Sequence, residues 1–165
     1  MTESVAQQLE VLAARIQKLE DQADIARMFT IYGLAVDTED VDAMLALYTD
    51  DITIDMDGER VLRGHDEARW VIEGEVHQSY VPFCAHNLGP FAIEVDGDEA
   101  VATGYSKVFV SHDGAFRVER VSFNRYELVR TEEGWKVSKR WTALLGTGDA
   151  AHSLFRRGLH PSDAR

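Results

Sequence analysis

Proton transfer at carbon needs a group that changes charge near neutral pH, a partner that holds it, and a donor for developing negative charge. Histidine meets the first need, and of the six in this chain His86 has the best claim: it sits in a predicted strand between the small residues Ala85 and Asn87. His112 abuts a turn, His65 and His77 border loops, and His152 and His160 fall in the C-terminal segment. Among the acids, Asp37 stands out by place. Ile25, Met28, Phe29, Tyr32 and Val36 recur at steps of three and four, the spacing of one buried helical stripe. Asp37 follows about 100° round from Val36, at the edge of that stripe and at the helix end where the dipole disfavours a carboxylate. Its plainer reading is as a cap in the polar run Asp37-Thr38-Glu39-Asp40. Gly33, one turn earlier, suggests open space beside it.

Other polar residues carry two readings each. Tyr32 shares the apolar stripe, so it is a packed phenol or a substrate contact. Trp70 reads as a core or lid residue. Asn124 and Tyr126 share one strand face and suit a polar substrate or cross-strand packing alike. On spacing alone Arg140 is a strand-face cation beside Lys136 and Lys139. No HExxH string, helical histidine pair or cysteine cluster suggests a metal, and no glycine-rich phosphate loop or G-x-S-x-G elbow is present. Neither a metal nor a cofactor is expected.

The elements that must position these residues follow from periodicity. Val5, Leu9, Leu12, Ile16 and Leu19 form a short a/d seam. It predicts an N-terminal helical extension over 1–20, packed on its own domain or on a partner subunit. Asp21 or Asp24 is read as capping a new start, followed by the Ile25–Val36 helix and a shorter one with Val41, Met44, Leu45 and Tyr48 inward. Ile52, Ile54 and Met56 alternate into an Asp57-Gly58 turn. A helix over 67–75 and a loop over 77–82 come next. Four long strands then run over 83–95, 100–112, 115–130 and 135–145, joined by Asp/Gly-rich turns of hairpin type. Bends are expected at Gly89-Pro90 and Gly104.

Strict alternation places His86 on the face opposite Phe91, Ile93 and Val95. Either a bulge at Gly89-Pro90 resets the parity, or Phe91 to Val95 form a subunit interface while His86 faces inward; the second is preferred. Residues 21–145 thus read as one α+β domain, with N-terminal helices on a strongly curved, mainly antiparallel sheet that encloses a cone-shaped cavity. Residues 146–165 read as an irregular tail. A second subunit is the expected cover for the other sheet face.

The chain has 165 residues, 45% of them hydrophobic, and a formal net charge of -12. Nucleic acid and anionic membrane are poor partners for such a surface. No apolar run approaches a membrane span, the N-terminus lacks signal-peptide features, and Cys84 is the single cysteine, so a cytoplasmic location is expected.

The strings IYGLAVDTEDVDAMLALYTDD (31–51), CAHNLG (84–89) and GWKVSKRW (134–141), in this order of elements, resemble the SnoaL-like branch of the nuclear-transport-factor-2-like superfamily. Within it the chain looks most like the group of scytalone dehydratase and hexachlorocyclohexane dehydrochlorinase. That resemblance implies a catalytic Asp–His dyad at Asp37 and His86, with Arg140 as a further cavity residue. It also marks a departure: Tyr32 stands where the dehydrochlorinase has a lysine, which removes the cation suited to a departing chloride.

The implied function is a cofactor-independent lyase, dehydratase-like, or an isomerase acting on a small, largely apolar substrate. Aldol-type cyclisation, as in polyketide cyclases, uses the same parts. His86 is the expected base, Asp37 its orienting partner, and Tyr32, Trp70, Asn124, Tyr126 and Arg140 the expected substrate contacts. A homo-oligomer, trimer or dimer, is expected. The rivals are a non-catalytic binding protein for small apolar ligands and a structural subunit like the β subunits of ring-hydroxylating dioxygenases.

Overall fold

The computed structural model describes residues 4–146 and 148–159. Helix α1 (Val5–Asp37) is continuous over 33 residues. Ser4 and Gln7 open it with a reciprocal capping box, each side chain bonded to the other's backbone N–H. The expected break at Asp21 or Asp24 is absent, because Asp21 is not a cap. It is buried inside the helix, accepting hydrogen bonds from Arg130 at 2.9 and 2.8 Å and from the Trp135 indole at 3.2 Å. The stripe Val5, Leu9, Leu12, Ile16 and Leu19 is more than half exposed at every position, so the seam does not pack on its own domain. Beyond Asp21 the predicted stripe is the buried one: Ile25, Met28, Phe29, Tyr32 and Val36.

Helix α2 (Val41–Leu45) is capped by Asp40, whose carboxylate accepts the Ala43 N–H at 2.9 Å. The capping role considered for Asp37 therefore belongs to Asp40. Strands β1 (Tyr48–Met56) and β2 (Arg60–Arg63) form a hairpin across Asp57-Gly58. Where one helix was expected over 67–75, three short ones follow: α3 (Gly64–Ala68), α4 (Trp70–Glu73) and α5 (Glu75–Gln78). Gly74 is extended, with ψ 149°, and divides the last two. His77, expected to border a loop, lies in α5 and is buried.

Strands β3 (Cys84–Asp96), β4 (Glu99–His112), β5 (Ala115–Thr131) and β6 (Gly134–Leu144) form the expected meander. The sheet order is β2-β1-β6-β5-β4-β3, antiparallel throughout except for the parallel β1–β6 pair. This is the α+β architecture expected, with α1 on a curved, mainly antiparallel sheet.

The register of β3 on β4 shifts between Leu88 and Phe91, so a bulge does reset the parity. Phe91 packs in the core, its ring 4.2 Å from that of Phe29, and Ile93 and Val95 pack there too. The preferred reading of Phe91 to Val95 as a subunit interface is thereby overturned. A side chain at Gly104 would meet the Phe91 ring at 2.7 Å, so the missing Cβ makes room for it.

On the other sheet face, Phe123 and Ala143 are covered by Ala151 and Leu154 of helix α6 (Ala150–Leu159). The segment expected to be irregular is helical there and supplies part of the cover assigned to a second subunit. His160 and Pro161 lie outside the described residues. No helix among the described residues is long and apolar enough to cross a membrane.

Candidate active site

Asp37 is the last residue of α1, and its carboxylate meets β3. Its Oδ1 and Oδ2 accept the backbone N–H of His86 at 3.1 and 2.9 Å, and Oδ1 lies 2.7 Å from His86 Nδ1. These donors offset the unfavourable helix dipole at that end. With a carboxylate as its partner, Nδ1 is the donor, so in the neutral ring the lone pair is on Nε2. Helix and strand come this close because residue 33 has no side chain: a Cβ there would stand 2.7 Å from the His86 carbonyl oxygen. The space beside Asp37 is thus filled by the main chain of β3 rather than open.

Two more groups crowd the dyad. Cys84, two residues before His86 on the strand, has its Sγ 4.0 Å from Asp37 Oδ1. Burial, and after it the Asp37 charge, push its thiol pKa up, so it stays protonated. The His77 ring centroid is 5.4 Å from that of His86. Burial and then the neighbouring His86 lower its pKa, and its Nε2 is buried without a hydrogen-bond partner. His77, Cys84 and His86 each present a ligand atom within 4.8 Å of the others, a set whose chemistry suits Zn²⁺. An ion there would compete with proton transfer for the His86 ring. Sequence spacing gave no sign of this group; its one local hint is the glycine break at Gly74, which sets α5 apart.

His86 and His77 open into a cavity of about 470 Å³ that Tyr32, Trp70 and Arg140 also line. Its apolar wall comes from Met56, Val71, Val76, Leu88 and Val108. The Arg60 guanidinium lies 4.2 Å from the centre of the Trp70 ring. Arg140, on β6, is 8% exposed. Its Nη1 donates to Tyr32 Oη at 2.7 Å, and its Nε and Nη2 donate to Asn124 Oδ1 at 3.3 and 3.2 Å. Five of the seven expected site residues therefore converge: Asp37 and His86 as a pair, Tyr32 and Arg140 as a second pair, and Trp70 as wall.

Asn124 and Tyr126 do not line this cavity. Asn124 is fully buried; its amide nitrogen donates to Ser106 Oγ at 2.8 Å and to the Ser122 carbonyl at 3.3 Å, while its oxygen holds Arg140. Tyr126 donates to the same oxygen at 3.4 Å, and burial keeps its phenol protonated well above the usual range. Both support Arg140 from behind. The strand face they share was legible, but it points into the core next to the cavity.

The SnoaL-like domain family model matches residues 17–141. An NTF2-like protein with a cystatin-like fold from Novosphingobium aromaticivorans has a crystal structure that superposes with a TM-score of 0.83; it is 34% identical, and the match covers 93% of this chain and 98% of that one. An uncharacterized protein of Mycobacterium tuberculosis is 28% identical over 133 residues, 76% of this chain and 86% of its own. A ketosteroid isomerase-like protein from Erwinia carotovora atroseptica shares the fold with a TM-score of 0.55 at 20% identity, the match covering 77% of this chain and 98% of that one.

Proposed function

The chain belongs to the SnoaL-like family, and on that premise we propose that it is a cofactor-independent lyase or isomerase that moves protons on a small, largely apolar carbonyl compound. One observation carries the reading: an imidazole that lines a cavity and has its Nδ1 2.7 Å from a carboxylate. His86 Nε2 removes a proton from the carbon next to the carbonyl. The imidazolium that forms is stabilised by Asp37, at a half-buried site where solvent screens the charge only in part. Negative charge collects on the substrate oxygen. Tyr32 is suited to meet it, since its oxygen accepts from Arg140 and its own O–H is left to donate.

In dehydration, the preferred reaction, the electron pair moves to form a C=C bond, the β C–O bond breaks, and the leaving oxygen takes the proton from His86 and departs as water. In isomerisation the same proton returns to the γ carbon. Tyr32, in place of a lysine, supports a substrate that loses or keeps oxygen rather than chloride.

The test is a panel of β-hydroxy ketones and β,γ-unsaturated ketones, followed by the ultraviolet absorbance of the conjugated product. Wild-type turnover that falls roughly 10²- to 10⁴-fold in His86→Ala is expected. Turnover that survives in His86→Ala sinks the proposal. Tight binding across the panel with no turnover favours the ligand-binding reading instead.

A further inference from the structure

Among the described residues, Arg125, the other buried arginine, and the partly buried Arg120 and Arg130 each meet a carboxylate. Arg125 pairs with Glu127 at 3.5 Å, Arg130 with Asp21 at 2.8 Å, and Arg120 with Asp57 at 2.6 Å. Arg140 is an exception. Among the described residues the groups its guanidinium meets are neutral: the Tyr32 hydroxyl, the Asn124 amide oxygen, the Tyr48 phenol, which burial keeps protonated, and the faces of the Tyr32 and Tyr126 rings at 5.2 and 5.5 Å. An unpaired buried charge is costly, and neutral hydrogen bonds and ring faces offset only part of that cost. The charge is also built in with care. Asn124, held by Ser106, Ser122 and Tyr126, presents its oxygen to two guanidinium nitrogens.

The cavity gives this cation its missing partner. Of the other charged groups on its wall, Asp57 is already held by Arg120, while Glu59 and Arg60 are exposed. Arg140 thus enters the cavity as a buried positive charge with nothing negative assigned to it. From this we infer that the cavity takes an organic anion: a compound with an apolar body and one carboxylate, the carboxylate seated on Arg140 and Tyr32 and the body along the apolar wall that leads to His86. The inference rests on the proposed function only in placing the reacting carbon at His86; the anion site stands on its own geometry. A planar guanidinium favours carboxylate because two N–H groups can meet two oxygens.

Binding without turnover tests it. Benzoate, cinnamate and 2-naphthoate are each compared with their primary amides by calorimetry at neutral pH, where the acids are ionised and the amides are nearly the same shape. The acid of at least one pair is expected to bind roughly 10- to 100-fold more tightly than its amide, the range for a charge-assisted bond. That preference should vanish in Arg140→Met and persist in Arg140→Lys. In Asn124→Asp, which sets a carboxylate on the guanidinium, it should fall or reverse.

His86→Ala should keep the preference. Loss of catalysis and loss of anion binding are therefore separate results, and failure of the proposed function leaves this inference standing. No acid preference in any pair overturns it, and so does a preference unchanged in Arg140→Met. Should Arg140→Met fail to melt cooperatively, Asn124→Asp decides. An equal affinity for acid and amide would mean that Arg140 serves only an oxyanion formed during reaction.

Discussion

The carbonyl oxygen of His86 lies 2.7 Å from where a Cβ on Gly33 would be, closer than a side chain there could tolerate. Helix α1 and strand β3 are thus in main-chain contact one turn before Asp37. Gly33→Ala should force them apart, costing about 1–3 kcal/mol by overpacking and lengthening the Asp37–His86 contact. Thermal melts and activity should fall together. Leu34→Ala, exposed and one residue on, should stay within about 0.5 kcal/mol of the wild type.

Asp37 serves the main chain as well as the ring. In Asp37→Ala the His86 amide loses its acceptor, so its hydrogen exchange should accelerate while the β3–β4 ladder stays protected. Asp37→Asn should lower kcat by roughly 10²- to 10⁴-fold with a smaller change in KM, because the group acts on the charged form of His86. Unchanged exchange at residue 86 would refute the main-chain role.

Asp21 ties α1 to β5 through Arg130. That hydrogen bond is the main reason its carboxyl pKa lies below the usual value of 3.8. The unfolded chain therefore takes up this proton first on acidification. The stabilisation is present above about pH 4 and is lost as pH falls through the folded value. Asp21→Asn should cost on the order of 2 kcal/mol at neutral pH, reduced from the fully buried case by the partial exposure of Arg130. Urea midpoints of wild type and variant should converge below about pH 4.

His77 gives a slope at higher pH. Burial, followed by the nearby His86, lowers its pKa from 6.5, so it folds as the neutral base. The unfolded state binds the proton first, and stability should decline as pH drops below about 6.5 toward the folded value, with no contribution to the slope above it. His77→Leu should reduce the loss of denaturant resistance between about pH 8 and about pH 5. An identical loss in both proteins would show that His77 is not the group responsible.

Local pattern made much of this legible. The stripe from Ile25 to Val36 and the four Asp/Gly-punctuated strands give α1 and the meander, because helical period and hairpin chemistry act over a few residues. Asp37 and His86 came from resemblance and stand together in the structure. What local pattern could not carry was pairing across distance. Asp21 resembles a helix cap until Arg130, 109 positions later, is brought to it. Arg140 reads as a strand-face cation beside Lys136 and Lys139 until the fold sets it against Tyr32 and Asn124. The parity of β3 depended on a bulge whose presence the sequence allowed without requiring.

α1 also acts as a splint. β3 is the last strand of the sheet, and its outer rim is where a foreign strand could add. Asp37 occupies the outward N–H of His86, Gly33 presses on its carbonyl, and the Gln22 side chain donates to the Ile93 carbonyl at 2.9 Å. The helix end that orients the imidazole thereby closes part of an aggregation-prone border. Loosening α1 to enlarge the cavity would unseal that border too, so any widening of the cavity at this end carries a solubility risk.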